Sequence, residues 1–171
     1  DDVSVEEYIQ MIYLKTSVLI AGSMRHGALI AGAPEHEYNA LYDFGGYLGL
    51  VFQLQDDYLD VYGDVKEFGK SIGGDIICNK KTYLLIKALE LAGDKDKALL
   101  NEWLKKKQFD AVEKIKEVTD IYNRVGVREA AMAKIGDYLE KSRGALEKIE
   151  VPEERKIHFR EMIDFIGGRK K

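Results

Sequence analysis

Phe52-Gln53-Leu54-Gln55-Asp56-Asp57-Tyr58-Leu59-Asp60 sets three carboxylates on one edge of an otherwise apolar helical run. Leu48, Val51, Phe52, Leu54, Leu59 and Val61 recur at helical spacing, while Gln53, Asp56, Asp57 and Asp60 fall at i, i+3, i+4 and i+7. The four polar side chains are therefore expected to share a face. One turn rises about 5.4 Å, so Asp56 and Asp60 repel each other unless a cation lies beside them. Mg²⁺ suits such a site, because it takes hard oxygen ligands and is commonly held through one or two carboxylates plus substrate phosphate. The competing reading is a solvated acidic face.

Downstream come Gly63-Asp64, Gly69-Lys70-Ser71, Gly73-Gly74-Asp75 and Asn79-Lys80-Lys81-Thr82. Gly63 is placed to end the acidic helix, and the glycines after it allow positive φ and close backbone approach to a ligand. Chain order brings Lys70 and Lys80 towards phosphate near the carboxylates, although each lysine taken alone fits an ordinary surface position. Upstream, Tyr8, Met11, Ile12 and Leu14 form an apolar stripe leading into Lys15-Thr16 and then Val18, Leu19, Ile20, Ala21, Gly22 and Ala28. A lysine in such a stripe must pair with an anion or extend to solvent. Thr16 taken alone can return its hydroxyl to the helix backbone.

In this order, KT, GLVFQLQDDYLD, GK, GGD and NKKT resemble the C-terminal half of trans-isoprenyl diphosphate synthases, the polyprenyl synthetase family that includes farnesyl and geranylgeranyl diphosphate synthases. The likeness covers most of residues 4–92; beyond about residue 93 it is one of helical pattern and a basic end. The resemblance implies an all-α helical bundle of the isoprenoid synthase type, present as a partial, C-terminal bundle. DDYLD resembles the family's second aspartate-rich motif, which implies Mg²⁺ ligation by Asp56 and Asp60, with Asp57 alongside and Asp75 near the outer shell of the metal. It further implies that Lys15, Lys70 and Lys80 hold the diphosphate of an allylic substrate, and that Thr16 and Gln53 turn oxygens towards the developing carbocation. The basic ending, with Arg169 and Lys171, resembles a tail that closes over a second diphosphate, on a flexible Gly167-Gly168 link. The implied activity is condensation of an allylic diphosphate with isopentenyl diphosphate. Product length is set in the family near the first aspartate-rich motif, and general likeness points to a short product, farnesyl or geranylgeranyl diphosphate.

That first motif lies upstream of the KT helix in the family and has no counterpart here. Asp1-Asp2 is no substitute, since Ser4 and Glu7 form a capping box that starts a helix just after it. The expectation is a C-terminal half, turning over substrate only when the missing N-terminal half is supplied. Leu48, Val51 or Phe52 is then expected to present apolar surface to absent helices, or to a second copy in a homodimer. Three other readings remain open: a non-catalytic subunit that binds Mg²⁺ and diphosphate, a structural helical bundle with a solvated acidic face, and a terpene cyclase. Lys70, Lys80 and the KT pair stand against the cyclase.

Composition sets the frame. The 171 residues, 46% apolar, suffice for one core and are expected to form a single domain. A net charge of −4 without a broad basic face argues against nucleic acid. A single cysteine, Cys78, excludes an intramolecular disulfide and suits a reducing cytoplasm, and no apolar run reaches the roughly 18 residues of a membrane span. With two prolines in all, helices are expected over 4–31, 35–62, 80–92, 94–107, 109–124, 126–147 and 152–167, with a loop over 63–79. Pro152 is expected in the first turn of the last helix. Gly45, Gly46 and Gly49 each cost about 1 kcal/mol relative to alanine in a helix interior, which close helix packing can offset.

Overall fold

The structure, a computed structural model, describes residues 3–63 and 72–169. Its helices are α1 (Val5–Ile12), α2 (Val18–Ile30), α3 (Glu35–Tyr62), α4 (Gly74–Ile77), α5 (Tyr83–Leu91), α6 (Asp94–Lys105), α7 (Ala111–Arg124), α8 (Val127–Glu147) and α9 (Glu153–Gly167), and a π-helical turn, Tyr13–Ser17, joins α1 to α2. Among the described residues there is no strand, and no helix is long and apolar enough to cross a membrane.

The expected capping box opens α1: the Ser4 amide donates to Glu7 Oε2 at 2.8 Å and the Glu7 amide to Ser4 Oγ at 3.1 Å. The π turn was not legible in the sequence. There the Val18 amide donates to the Tyr13 carbonyl, five residues back, which inserts one extra residue into the helix. Its effect is to re-phase the buried side. Tyr8, Ile12, Ser17, Ala21 and Ala28 are buried, stepping by four, five, four and seven, and the step of five coincides with the π turn. The stripe expected from the sequence is corrected: Met11 and Leu14 are exposed.

Three other boundaries move for local reasons. Residues 80–82 are not helical, because Asn79 takes a left-handed conformation, φ 52°, and Thr82 is extended and caps α5 by accepting from the Leu85 amide. The expected loop over 63–79 contains α4. Pro152 is the residue before α9 rather than inside it, and its carbonyl accepts the Arg155 amide at 2.9 Å.

The described residues divide into two compact units, one of residues 3–8, 56–63 and 72–133, the other of residues 9–55 and 134–169. In the first, α7 packs against α4, α5 and α6, and Leu84, Leu100, Ile121 and Tyr122 are among its buried side chains. In the second, Ala40, Phe44 and Leu48 of α3 pack with Ala145, Leu146, Ile149 and Ile163. Phe44 meets Phe159 edge to face at 5.4 Å, and burying a ring of that size contributes about 2–3 kcal/mol. The glycines of α3 work here as expected. A Cβ on Gly49 would lie 2.6 Å from Ser17 Cα, and one on Gly45 would lie 3.0 Å from Ala21 Cα, so the missing side chains are what let this backbone approach the π turn and α2.

Of the three alternatives Leu48, Val51 or Phe52, the first two are buried in this unit and Phe52 is the exposed one, at 38%. The large exposed apolar side chains of this unit lie mainly along residues 11–30: Met11, Leu14, Leu19, Leu29 and Ile30.

Candidate functional site

The acidic run lies on α3, whose periodicity forms as the sequence requires. The carboxylates do not share one environment, however. Asp56 is exposed and Asp60 half-buried, whereas Asp57 is 1% exposed. At 100° per residue Asp57 lies on the inward border of the acidic arc.

Asp57 is held from two directions. The Tyr8 hydroxyl donates to its Oδ2, and Lys80 Nζ lies 3.4 Å from its Oδ1. Burial raises the Asp57 carboxyl above the usual range, against the opposing pull of the Tyr8 bond and the Lys80 charge. Burial and the Asp57 charge likewise push the Tyr8 phenol well up, which keeps its proton in place as the donor. Lys80 also bonds Asp75 Oδ2 at 2.7 Å. Burial draws the Lys80 ammonium down, but the Asp75 bond and the Asp57 charge outweigh it and hold it above the usual lysine value.

Asp60 completes the cluster through the backbone. Its Oδ2 accepts the Asp75 amide at 2.8 Å, its carbonyl accepts the Gly73 amide at 2.6 Å, and burial raises its carboxyl. Gly73 has φ 86° and its Cβ would lie 2.6 Å from the Ile115 side chain, so both backbone conformation and space require glycine there. The structure thus brings Asp57, Asp60, Asp75 and Lys80, named from the sequence, into one cluster. The sequence expectation did not anticipate Tyr8, 49 residues from Asp57 and indistinguishable in sequence from any other aromatic on a buried stripe.

Described by itself, the other unit carries the KT pair. Thr16 Oγ1 lies 3.4 Å from Gln53 Oε1, so the two neutral oxygens expected to act together are adjacent. Lys15 is exposed on the π turn and does not sit in the buried stripe. Arg169 lies 4.6 Å over the Phe52 ring, and Gln55 Nε2 donates to the Gly167 carbonyl at 3.0 Å. Residues 167–169 are thereby fastened to α3, where the sequence led us to expect a flexible link. Lys70 and Lys171 lie outside the described residues.

Among the described residues, no three acidic, histidine or cysteine side chains gather into a ready-made metal cage. The donors present, the carboxylates of Asp60 and Asp75 near the Lys80 ammonium with Asp56 exposed on the same helix as Asp60, are hard oxygens with an adjacent cation. That set fits a metal arriving with a diphosphate, which supplies the remaining oxygens together with water, better than a metal bound alone.

The polyprenyl synthetase family pattern matches residues 1–122. The short chain isoprenyl diphosphate synthase of Methanothermobacter thermautotrophicus is 42% identical over 153 residues, 90% of this chain and 45% of that protein. The crystal structure of a geranylgeranyl pyrophosphate synthase superposes with TM-score 0.91 at 40% identity, over 100% of this chain and 53% of that one. A polyprenyl synthase from Caulobacter crescentus CB15, complexed with calcium and isoprenyl diphosphate, gives TM-score 0.87 at 29% identity, over 99% of this chain and 51% of that one. The chain belongs to the polyprenyl synthetase family and has the helical fold of its isoprenyl diphosphate synthases. It spans about half the length of the relatives it matches.

Proposed function

We propose that this chain is the diphosphate-holding, C-terminal half of a prenyltransferase that condenses an allylic diphosphate with isopentenyl diphosphate to give farnesyl or geranylgeranyl diphosphate. The observation that carries the reading is the joining of Asp57, Asp60, Asp75 and Lys80, from two stretches of chain, into one network beside the exposed Asp56. In this reading Asp56, Asp60 and Asp75 face Mg²⁺ bound with diphosphate. Asp57, included in the metal set by resemblance, acts from behind them. Lys15, Lys70 and Lys80 hold diphosphate oxygens, and Arg169 and Lys171 serve the second diphosphate. All 171 residues are taken as one domain of a cytoplasmic homodimer, in keeping with the single cysteine.

The chemistry accounts for the mixture of residue types. In the condensation the allylic C–O bond breaks and pyrophosphate leaves with the electron pair. The π bond of isopentenyl diphosphate attacks the allyl cation, and loss of a proton gives a product five carbons longer. Bound Mg²⁺ would supply positive charge against the departing diphosphate. Lysine ammoniums add to that charge as hydrogen-bond donors. The Thr16 and Gln53 oxygens present dipoles to a cation without the nucleophilicity that would capture it, and apolar walls keep out the water that would quench it.

Calorimetric titration of pyrophosphate with and without Mg²⁺ tests the reading. Binding is expected only with the metal, and loss of that binding is expected in Asp56→Ala. Absence of metal-dependent binding in the unmodified chain would leave the solvated acidic face as the reading. Turnover of both prenyl substrates is assigned to a protein of the relatives' full length.

A further inference from the structure

Lys114, in the first turn of α7, is 1% exposed. Its Nζ donates to Asn79 Oδ1 at 2.7 Å and to the Ile77 carbonyl at 3.2 Å, and lies 4.2 Å over the Phe109 ring. None of these partners carries a charge. An apolar side chain of similar length would fill the space without the cost of burying an ammonium, so what distinguishes lysine at this position is what it grips.

Both acceptors belong to the turn that carries Asp75 and Lys80. Ile77 ends α4, where carbonyls lack intrahelical donors. Asn79 is the left-handed residue that reverses the chain, and its Nδ2 donates in turn to the Leu104 carbonyl at the end of α6. The Lys80 amide then closes back onto the Asp75 carbonyl at 2.9 Å. At the other end of the same turn, Gly73 abuts the Ile115 side chain, so consecutive residues of α7 touch both ends of it. Beneath the turn, a cavity of about 10 Å³ lined by Asp75, Asn79, Lys80 and Lys114 leaves room for roughly one water and little for inward drift.

We propose that Lys114 is a positioning residue: through Ile77 and Asn79 its ammonium sets the 73–80 turn so that Lys80 meets Asp57 and the Asp75 amide meets Asp60. Its consequence for binding rests on the diphosphate reading above; its grip on the turn does not.

Three measurements on this chain and its Lys114→Met, Lys114→Arg and Asn79→Gly variants test the inference. Amide exchange at Asp75 and Lys80 is expected to quicken about tenfold in Lys114→Met while amides of Glu153–Gly167 keep their rates. Pyrophosphate titrated in Mg²⁺ is expected to bind about tenfold more weakly at unchanged stoichiometry. Lys114→Arg, which keeps a cationic donor, should recover most of that affinity. A purely stabilising lysine would instead lower the melting temperature and the binding-competent fraction and leave the Kd of that fraction unchanged, and this result overturns the proposal. Asn79→Gly keeps the backbone permission but removes the grip, so it should weaken binding as Lys114→Met does and decides the matter if Lys114→Met does not fold. If the unmodified chain binds no pyrophosphate, the diphosphate reading falls and exchange alone decides for Lys114: unchanged rates at Asp75 and Lys80 refute it.

Discussion

The stretch of α3 around Gly45 and Gly49 and the stretch around Asp57 and Asp60 belong to one helix and are held by opposite means. At Gly49 contact depends on an atom that is missing, since a Cβ there would sit 2.6 Å from Ser17 Cα. At Asp57 contact depends on groups that are present, a phenol and an ammonium converging on a buried carboxylate. Steric closeness forbids additions, whereas a buried polar network forbids deletions. The two stretches should therefore fail under opposite kinds of substitution.

The largest expected effect is at Asp57. Replacing it with alanine leaves the buried Tyr8 hydroxyl without this acceptor, while Lys80, half-exposed, keeps Asp75; a buried donor left unsatisfied costs up to about 3 kcal/mol, measurable by urea unfolding. Asp56→Ala, at an exposed position one residue earlier, should stay within about 0.5 kcal/mol of the unmodified chain while losing metal-dependent pyrophosphate binding. Equal stability losses in the two variants would erase the distinction between a positioning and a ligating carboxylate.

Next is Gly49→Ala, where one methyl group directed at a backbone atom should destabilise by about 2 kcal/mol. A neutral result would show that the π turn yields easily. Smaller again is the coupling of Tyr8 to Asp57. A double-mutant cycle of Tyr8→Phe and Asp57→Asn should give an interaction of about 1 kcal/mol, and additive effects would remove the phenol from the network. The smallest effect has the opposite sign. Gly22 lies within α2 and a Cβ there meets nothing within 4 Å, so Gly22→Ala should stabilise by about 0.5 kcal/mol. Destabilisation there would mean that glycines of this unit are needed for more than close approach.

Much of this was legible from one dimension. The acidic run, the capping box of Ser4 and Glu7, and the extents of α3 and α8 follow from periodicity and capping chemistry, because they depend on neighbours within a few residues. The motif order placed Asp75 and Lys80 with the α3 carboxylates, and Thr16 with Gln53. Errors arose where one element decides the state of another. Leu14 read as part of the apolar stripe until the π turn re-phased the helix, packing decided that Phe52 rather than Leu48 or Val51 is exposed, and Asn79 and Thr82 displaced the start of α5.

By itself, then, the sequence determined an all-helical member of the polyprenyl synthetase family with its acids, amines and neutral oxygens in order along the chain. Tertiary structure alone decided which carboxylate turns inward, that Tyr8 meets it, and that a lysine in an ordinary charged helix, Lys114, is buried beneath the turn carrying Asp75 and Lys80. The physical reason is range. Helical phase and caps are set within about one turn of the chain, whereas desolvation and the hydrogen bonding of buried polar groups depend on partners 23 to 49 residues away.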